Sequence, residues 1–282
     1  MNPQEYCKRK VAESGSNFTV AFSLLDVKRR SALESLYAFC REVDDIADEC
    51  SDSSLAQVKL AWWRNELTTV LDFPKHPILL SLKHTLNNFD LPLSDFNKII
   101  DGVQQDLNPV LIEDWSHLDS YCDLVAGAVG RLASRIFGPS SSEVLSYATL
   151  LGQACQYTNI LRDVGEDLTK NRTYIPQHLI KKYLVNKSLN MKVYSKEFFL
   201  MCEEFSCRAH SKYHEAFLSL PKREYQRQRP GIVMGIIYRS LLENIEKSNY
   251  QVLTRRIRLS PLQKFWAAWR ASWGTIPKRA TL

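Results

Sequence analysis

Residues Gln153–Pro176 read QACQYTNILRDVGEDLTKNRTYIP, with Asp163 and Asp167 four apart, Gln156, Asn159 and Arg162 upstream, and Arg172 downstream. On an α-helix, residues three and four apart share a face. Gln156, Asn159, Asp163 and Asp167 are spaced 3, 4, 4, so they drift by only ~20° over three turns at ~3.6 residues per turn. They form one continuous polar stripe, and Gly152 extends it by a turn and leaves space. Tyr37–Glu49, YAFCREVDDIADE, repeats the pattern near the other end of the chain, with Tyr37, Arg41, Asp44 and Asp48 spaced 4, 3, 4. Two such stripes make helix the framework on which the rest of the chain is read.

A lone DxxxD pair on a helix is ordinarily a solvated acidic face. Here the stripes adjoin strongly apolar sequence, mix acids with Gln, Asn and Tyr, and occur twice. Two carboxylates on each of two facing helices repel unless cations lie between them. Oxygen ligands without His or Cys select Mg²⁺ or Mn²⁺ over zinc. Mg²⁺ takes one or two protein carboxylates and fills its shell with water and phosphate oxygens, which Arg41 and Arg162 are placed to hold directly. Neither a P-loop nor a dinucleotide fingerprint is present. A diphosphate head on an apolar tail fits this chemistry, with Phe18, Phe22, Val125 and Ala126 as the kind of lining an isoprenyl chain needs. The cation would neutralise the leaving diphosphate while an allylic cation forms in a dry pocket.

The remaining sequence is consistent with a helical body. Hydrophobic residues make up 45% of the 282 positions, enough to bury a large core. The periodicity predicts helices over Pro3–Glu13, Asp26 (as N-cap) to Glu49, Leu55–Leu71, Ile78–Phe89, Ser94–Leu107, His117–Phe137, Ser141 or Ser142 (as N-cap) to about Leu168, a short one ending at Leu184, Tyr194–Leu220, and Glu224–Ser248 interrupted at Pro230 and Gly231. The VAGAVG run, Val125–Gly130, places two glycines inside a helix, which points to close packing or room for a ligand. No strand pattern stands out, and the expected fold is an all-α single domain over 1–282.

The net charge of +6 serves small polyanions or anionic lipid and does not call for nucleic acid. The seven cysteines form no CxxC and read as free thiols, Cys40 and Cys155 being small core residues. His210 and His214 are four apart but lack a third ligand, and read as helix surface. No signal core or ~20-residue apolar span is evident. Residues 259–282 form a basic tail in which Trp266, Trp269 and Trp273 recur beside Lys264 and Arg270, suiting a helix packed on the body or an anchor at a membrane interface. The expected location is cytoplasmic, with peripheral contact at the inner membrane face.

At DDIAD (Asp44–Asp48), NILRDVGED (Asn159–Asp167), RTYIP (Arg172–Pro176), YCDLVAGAVG (Tyr121–Gly130) and SGSNFTVAF (Ser14–Phe22), the chain resembles the squalene/phytoene synthase family, over about residues 14–258. FCREVDDIADE, KLAWWRNEL, QRPGIVMGIIYRSLL and RRIRLSPLQKFWAAWR look most similar to the bacterial presqualene diphosphate synthases of hopanoid and squalene biosynthesis. The resemblance implies an isoprenoid-synthase-type helical bundle with a central cavity and head-to-head joining of two farnesyl diphosphates, with the product passing to downstream isoprenoid enzymes. It implies Asp44, Asp48, Asn159, Asp163 and Asp167 as Mg²⁺ ligands, and Arg41 and Arg162 as catalytic partners. It further implies substrate contacts at Ser14, Gly15, Ser16, Asn17, Phe18, Phe22, Tyr37, Tyr121, Val125, Ala126, Gln156, Arg172, Tyr238 and Arg256. Where many members carry an aromatic residue or His before Val-Ala-Gly, this chain has Asp123 and Leu124. NADPH is not expected for the presqualene diphosphate step. The alternatives are a full squalene synthase, which needs NADPH, and a phytoene synthase. The non-enzymatic ones are an assembly factor, which the four intact motif aspartates disfavour, and a membrane-surface binding protein of the same fold.

Overall fold

The computed structural model describes residues 2–13, 22–50, 52–107, 111–260, 262–264, 266 and 269. Twelve α-helices and no strand occur among the described residues, so the all-α reading holds. The helices are α1 (Pro3–Glu13), α2 (Val27–Glu49), α3 (Ser53–Thr68), α4 (Pro77–Leu86), α5 (Leu93–Leu107), α6 (Trp115–Cys122), α7 (Ala128–Phe137), α8 (Ser142–Thr169), α9 (Gln177–Lys182), α10 (Asn186–Met191), α11 (Lys196–Ser219) and α12 (Arg229–Lys247).

Side-chain caps set several boundaries. Asp26 accepts from the Arg29 amide at 2.9 Å at the start of α2, and Asp52 from Ser54 at 2.8 Å at the start of α3. Asp114, Ser141 and Ser195 do the same for α6, α8 and α11. Each such cap is worth ~1 kcal/mol. Pro230 does not interrupt a longer helix, because α12 begins at Arg229 and Pro230 sits in its first turn, where a missing N–H costs nothing.

The helix expected over His117–Phe137 is instead two helices joined by a π-turn, Asp123–Gly127. A π-turn carries one residue more than an α-turn and re-aims the side chains around it. Asp123 is thereby turned toward Arg131, whose Nη1 it meets at 2.5 Å. The glycines beside it serve close packing. A Cβ on Gly130 would stand 2.3 Å from the Ala148 carbonyl oxygen of α8, and one on Gly152 of α8 would stand 2.4 Å from the Ala126 carbonyl oxygen. Each backbone touches the other through a missing side chain, so α8 lies hard against the π-turn and α7.

Two apolar clusters result. One joins α1–α5 to α7, with Phe39, Trp63 and Phe96 at its centre. The other joins α6, α8, α11 and α12, with Tyr157, Phe205 and Tyr213 fully buried. A cavity of about 200 Å³ separates them, walled by α2, the π-turn with α7, α8 and α12.

Candidate active site

The cavity has a polar end and an apolar body. Tyr37, Arg41 and Asp44 of α2 face Gln156 and Asn159 of α8 and Tyr238 of α12 at the polar end. Deeper in, Leu33, Val125, Ala126, Val129, Leu151 and Met234 line it. The helical spacing explains this. Successive turns of α2 present Leu33, Tyr37, Cys40 or Arg41, and Asp44 to the cavity, and successive turns of α8 present Ala148, Gly152, Gln156 and Asn159.

The carboxylates are perturbed. Burial, opposed by Arg41 but reinforced by Asp106 and Asp48, pushes Asp44 up to about 7. Burial with Asp163 and Glu166 nearby pushes Asp167 up to about 7. At Asp48 burial is outweighed by Lys170 and Arg172, which hold it below the usual carboxylate range. Asn159 donates from Nδ2 to Gln156 at 3.2 Å, while its buried Oδ1 has no hydrogen-bond partner. Asn159 Oδ1 and the buried Asp44 carboxylate both border the polar end of the cavity, and oxygen donors without His or Cys suit a hard cation. The residues present therefore fit Mg²⁺ in type. Among the described residues no three His, Cys, Asp or Glu side chains converge as a ligand cluster.

The arginines are engaged with protein carboxylates. Arg162 pairs with Asp163, and Arg256 reaches the same carboxylate at 3.0 Å. Arg172 and Lys170 bind Asp48 at 3.0 and 3.1 Å, tying the end of α8 to the end of α2. Arg41 pairs with Asp45. Asp163 is thus countercharged from beside its own stripe, and Asp48 from the end of the opposite helix.

Other expected contacts sit elsewhere. The Tyr121 hydroxyl donates to Asp106 at 3.0 Å and its ring stacks on Tyr174 with centroids 4.9 Å apart; it is absent from the cavity wall. Phe22 is buried and packs edge-on against Tyr37, 6.1 Å between centroids, supporting the wall from behind. Ser14, Gly15, Ser16, Asn17 and Phe18 lie outside the described residues, as do Arg270 and Trp273. Neither Asp123 nor Leu124 lines the cavity: Asp123 is drawn to Arg131, and a Cβ on Gly102 would meet Leu124 at 3.1 Å. His210 is partly buried and meets Glu246 at 2.7 Å, while His214 is exposed.

Sequence reading missed Asp106. Burial pushes it up to about 6, against hydrogen bonds from Tyr174 and Tyr121, and it sits electrically close to Asp44 and Asp48. The available signal was an acid that continues the buried face of α5 after Ile99 and Val103 at spacings of 4 and 3.

A family model described as squalene/phytoene synthase matches residues 11–263. The chain is 39% identical over 169 residues to a presqualene diphosphate synthase of Rhodopseudomonas palustris, a match spanning 60% of this chain and 61% of that protein. To the presqualene diphosphate synthase of Sinorhizobium fredii it is 31% identical over 252 residues, 89% of this chain and 90% of that one. A phytoene synthase of Mycobacterium tuberculosis is also 31% identical, over 88% of this chain and 83% of its own. Among solved structures, a dehydrosqualene synthase in complex with ligand superposes with a TM-score of 0.86 at 25% identity, over 96% of both chains.

Proposed function

The chain belongs to the squalene/phytoene synthase family, and from that premise we propose that it is a prenyltransferase joining two farnesyl diphosphates head to head into presqualene diphosphate. The observation that carries this reading is the cavity itself: polar where Asp44, Arg41, Gln156 and Asn159 meet, apolar along the rest, and set between two cores. Diphosphate heads belong at the first part and isoprenyl tails in the second.

Asp44, Asp48, Asn159, Asp163 and Asp167 are the residues that would hold Mg²⁺. Bound there, it supplies neutralisation of the departing diphosphate. Arg41, with Tyr37, Gln156 and Tyr238, orients the heads, and release of Arg162, Arg172 or Arg256 from its carboxylate frees a guanidinium for phosphate oxygens. Val125, Ala126, Leu151 and Met234 keep water from the allylic cation once the C–O bond breaks. Two C15 diphosphates become one C30 diphosphate, one inorganic diphosphate and one proton. Asp123 is engaged by Arg131 and faces away, so the released diphosphate is the base that we assign to that proton. The exposed Leu262, Trp266 and Trp269, with Lys264 between them, support a peripheral contact with anionic lipid.

Purified protein given farnesyl diphosphate and Mg²⁺ without reductant should yield a cyclopropyl C30 diphosphate. Absence of diphosphate release would refute the reading. Squalene formed on adding NADPH would indicate a full squalene synthase, and efficient C40 formation from geranylgeranyl diphosphate would indicate a phytoene synthase, the second reading that the mycobacterial relative supports.

A further inference from the structure

The buried end of the cavity is walled by Leu33, Ser134, Phe137, Tyr147, Gln228 and Gly231. Seating the terminus of an isoprenyl tail needs only apolar contact, yet two of these residues carry polar atoms with nothing to bond. Tyr147 is 1% exposed and Gln228 0%, and neither Tyr147 Oη nor Gln228 Oε1 has a hydrogen-bond partner. The amide orientation is set by its other atom: Gln228 Nε2 donates to the Ser134 carbonyl at 3.1 Å, which leaves Oε1 as the orphan. Burial keeps the Tyr147 phenol protonated, far above its ordinary range, so it offers a donor while Gln228 offers an acceptor. A side chain at position 231 would crowd this spot, since a Cβ there would stand 3.1 Å from Tyr147 Oη and 3.6 Å from the Phe137 ring. The glycine leaves room beside the hydroxyl.

We propose that one water molecule occupies this end, accepting from Tyr147 and donating to Gln228, and that it gauges tail length by favouring a C15 over a C20 chain. Buried polar pairs in roomy sites ordinarily hold such a water. The lengths agree. From Asn159 to Tyr147 is twelve residues of α8, or about 18 Å at ~1.5 Å per residue. At bond lengths of ~1.5 Å an extended hydrocarbon advances ~1.25 Å per bond, so four bonds per isoprene give about 15 Å for three units and about 20 Å for four. A C15 tail stops short of the water, whereas a C20 tail must expel it. An apolar methyl then faces a donor and an acceptor and satisfies neither, a loss of roughly ten-fold per group. This is discrimination by unpaired polar groups rather than by a steric wall.

The inference rests on the function proposed above, and its test has two arms. In the first, Tyr147→Phe removes the donor alone. In competition assays with Mg²⁺, the ratio of kcat/KM for geranylgeranyl diphosphate to that for farnesyl diphosphate should rise about ten-fold. Gly231→Ala, which fills space instead, should lower the same ratio. A ratio unchanged or lowered in Tyr147→Phe would overturn the gauge; if that variant does not fold, a raised or unchanged ratio in Gly231→Ala does so. In the second arm, a high-resolution crystal structure of the wild-type protein should show one water within ~3 Å of both Tyr147 Oη and Gln228 Oε1, and a dry site there overturns the proposal. Wild-type protein that consumes neither diphosphate would refute the prenyltransferase reading, and the crystallographic arm would still decide the water.

Discussion

Replacing Asn159 by alanine should make the metal-free protein more stable and the enzyme far less active. The Asn159 Oδ1 is buried at the polar end of the cavity without a partner. Carrying such an orphan costs about 1–3 kcal/mol. Alanine also gains ~0.5 kcal/mol of helix propensity within α8. Against these stands the Nδ2 bond to Gln156 at 3.2 Å, worth about 1 kcal/mol. Packing changes little because the side chain borders open space. The net is a stabilisation of about 0.5–2.5 kcal/mol. For 282 residues, an unfolding entropy of ~2.1 cal/mol/K per residue converts this into a Tm increase of about 1–4 °C. Calorimetry in a chelating buffer would read the increase. Added Mg²⁺ with inorganic diphosphate should stabilise the wild type more than the variant, while kcat/KM falls about 10–100-fold, as for a lost ligand or one of its supports. A variant that melts lower in chelator yet turns over like the wild type would make Asn159 a structural residue and refute the reasoning.

Asp44→Ala and Asp163→Ala should each abolish turnover while circular dichroism stays helical; near-normal rates in either would remove that residue from the site. Gly152→Ala drives a methyl to 2.4 Å from the Ala126 carbonyl oxygen, whereas Gly138→Ala meets only the Arg227 side chain at 3.2 Å. The first should lose about 1–3 kcal/mol in denaturant titrations and the second nearly none, and equal losses would deny the backbone contact. Asp106 has a folded-state pKa of about 6 against an unfolded value of 3.8, so its stabilising contribution is full below about 4 and lost as pH rises through about 6. Asp106→Asn should erase about 3 kcal/mol of that decline between those limits in metal-free protein, and an unchanged slope would assign the decline to other groups. Removing residues from Pro261 onward should reduce sedimentation with anionic vesicles in low salt, and equal sedimentation would leave the segment no lipid role.

The helical class and the two stripes were legible because they depend only on neighbours three and four apart. The cap at Asp26 was legible for the same reason. What sequence could not supply were contacts fixed by tertiary packing. The side chain of Asp123 is placed by Arg131, which also binds Asp95, and that triangle requires α5 to lie beside α7. Gly152 read as space for a ligand, and its backbone neighbour Ala126 comes from another helix. Asp106 looked like one acid among several on α5 until Tyr121 and Tyr174 closed over it. The arginines were read as phosphate ligands from their position beside the stripes, and only the fold shows which carboxylate each one holds.

Those pairings give the acidic ends of the two stripes the character of an ion exchanger. Asp163 is loaded with Arg162 and Arg256, and Asp48 with Lys170 and Arg172. For either carboxylate to accept a divalent cation, its resident side chain must let go, and a displaced guanidinium then seeks an anion. Cation and diphosphate each supply what the other's arrival leaves uncovered, so each should tighten the other's binding by the same factor. With the Mg²⁺ and diphosphate proposed above, a site loaded in this way would hold free metal weakly and would commit its charges only when head group and cation are present together.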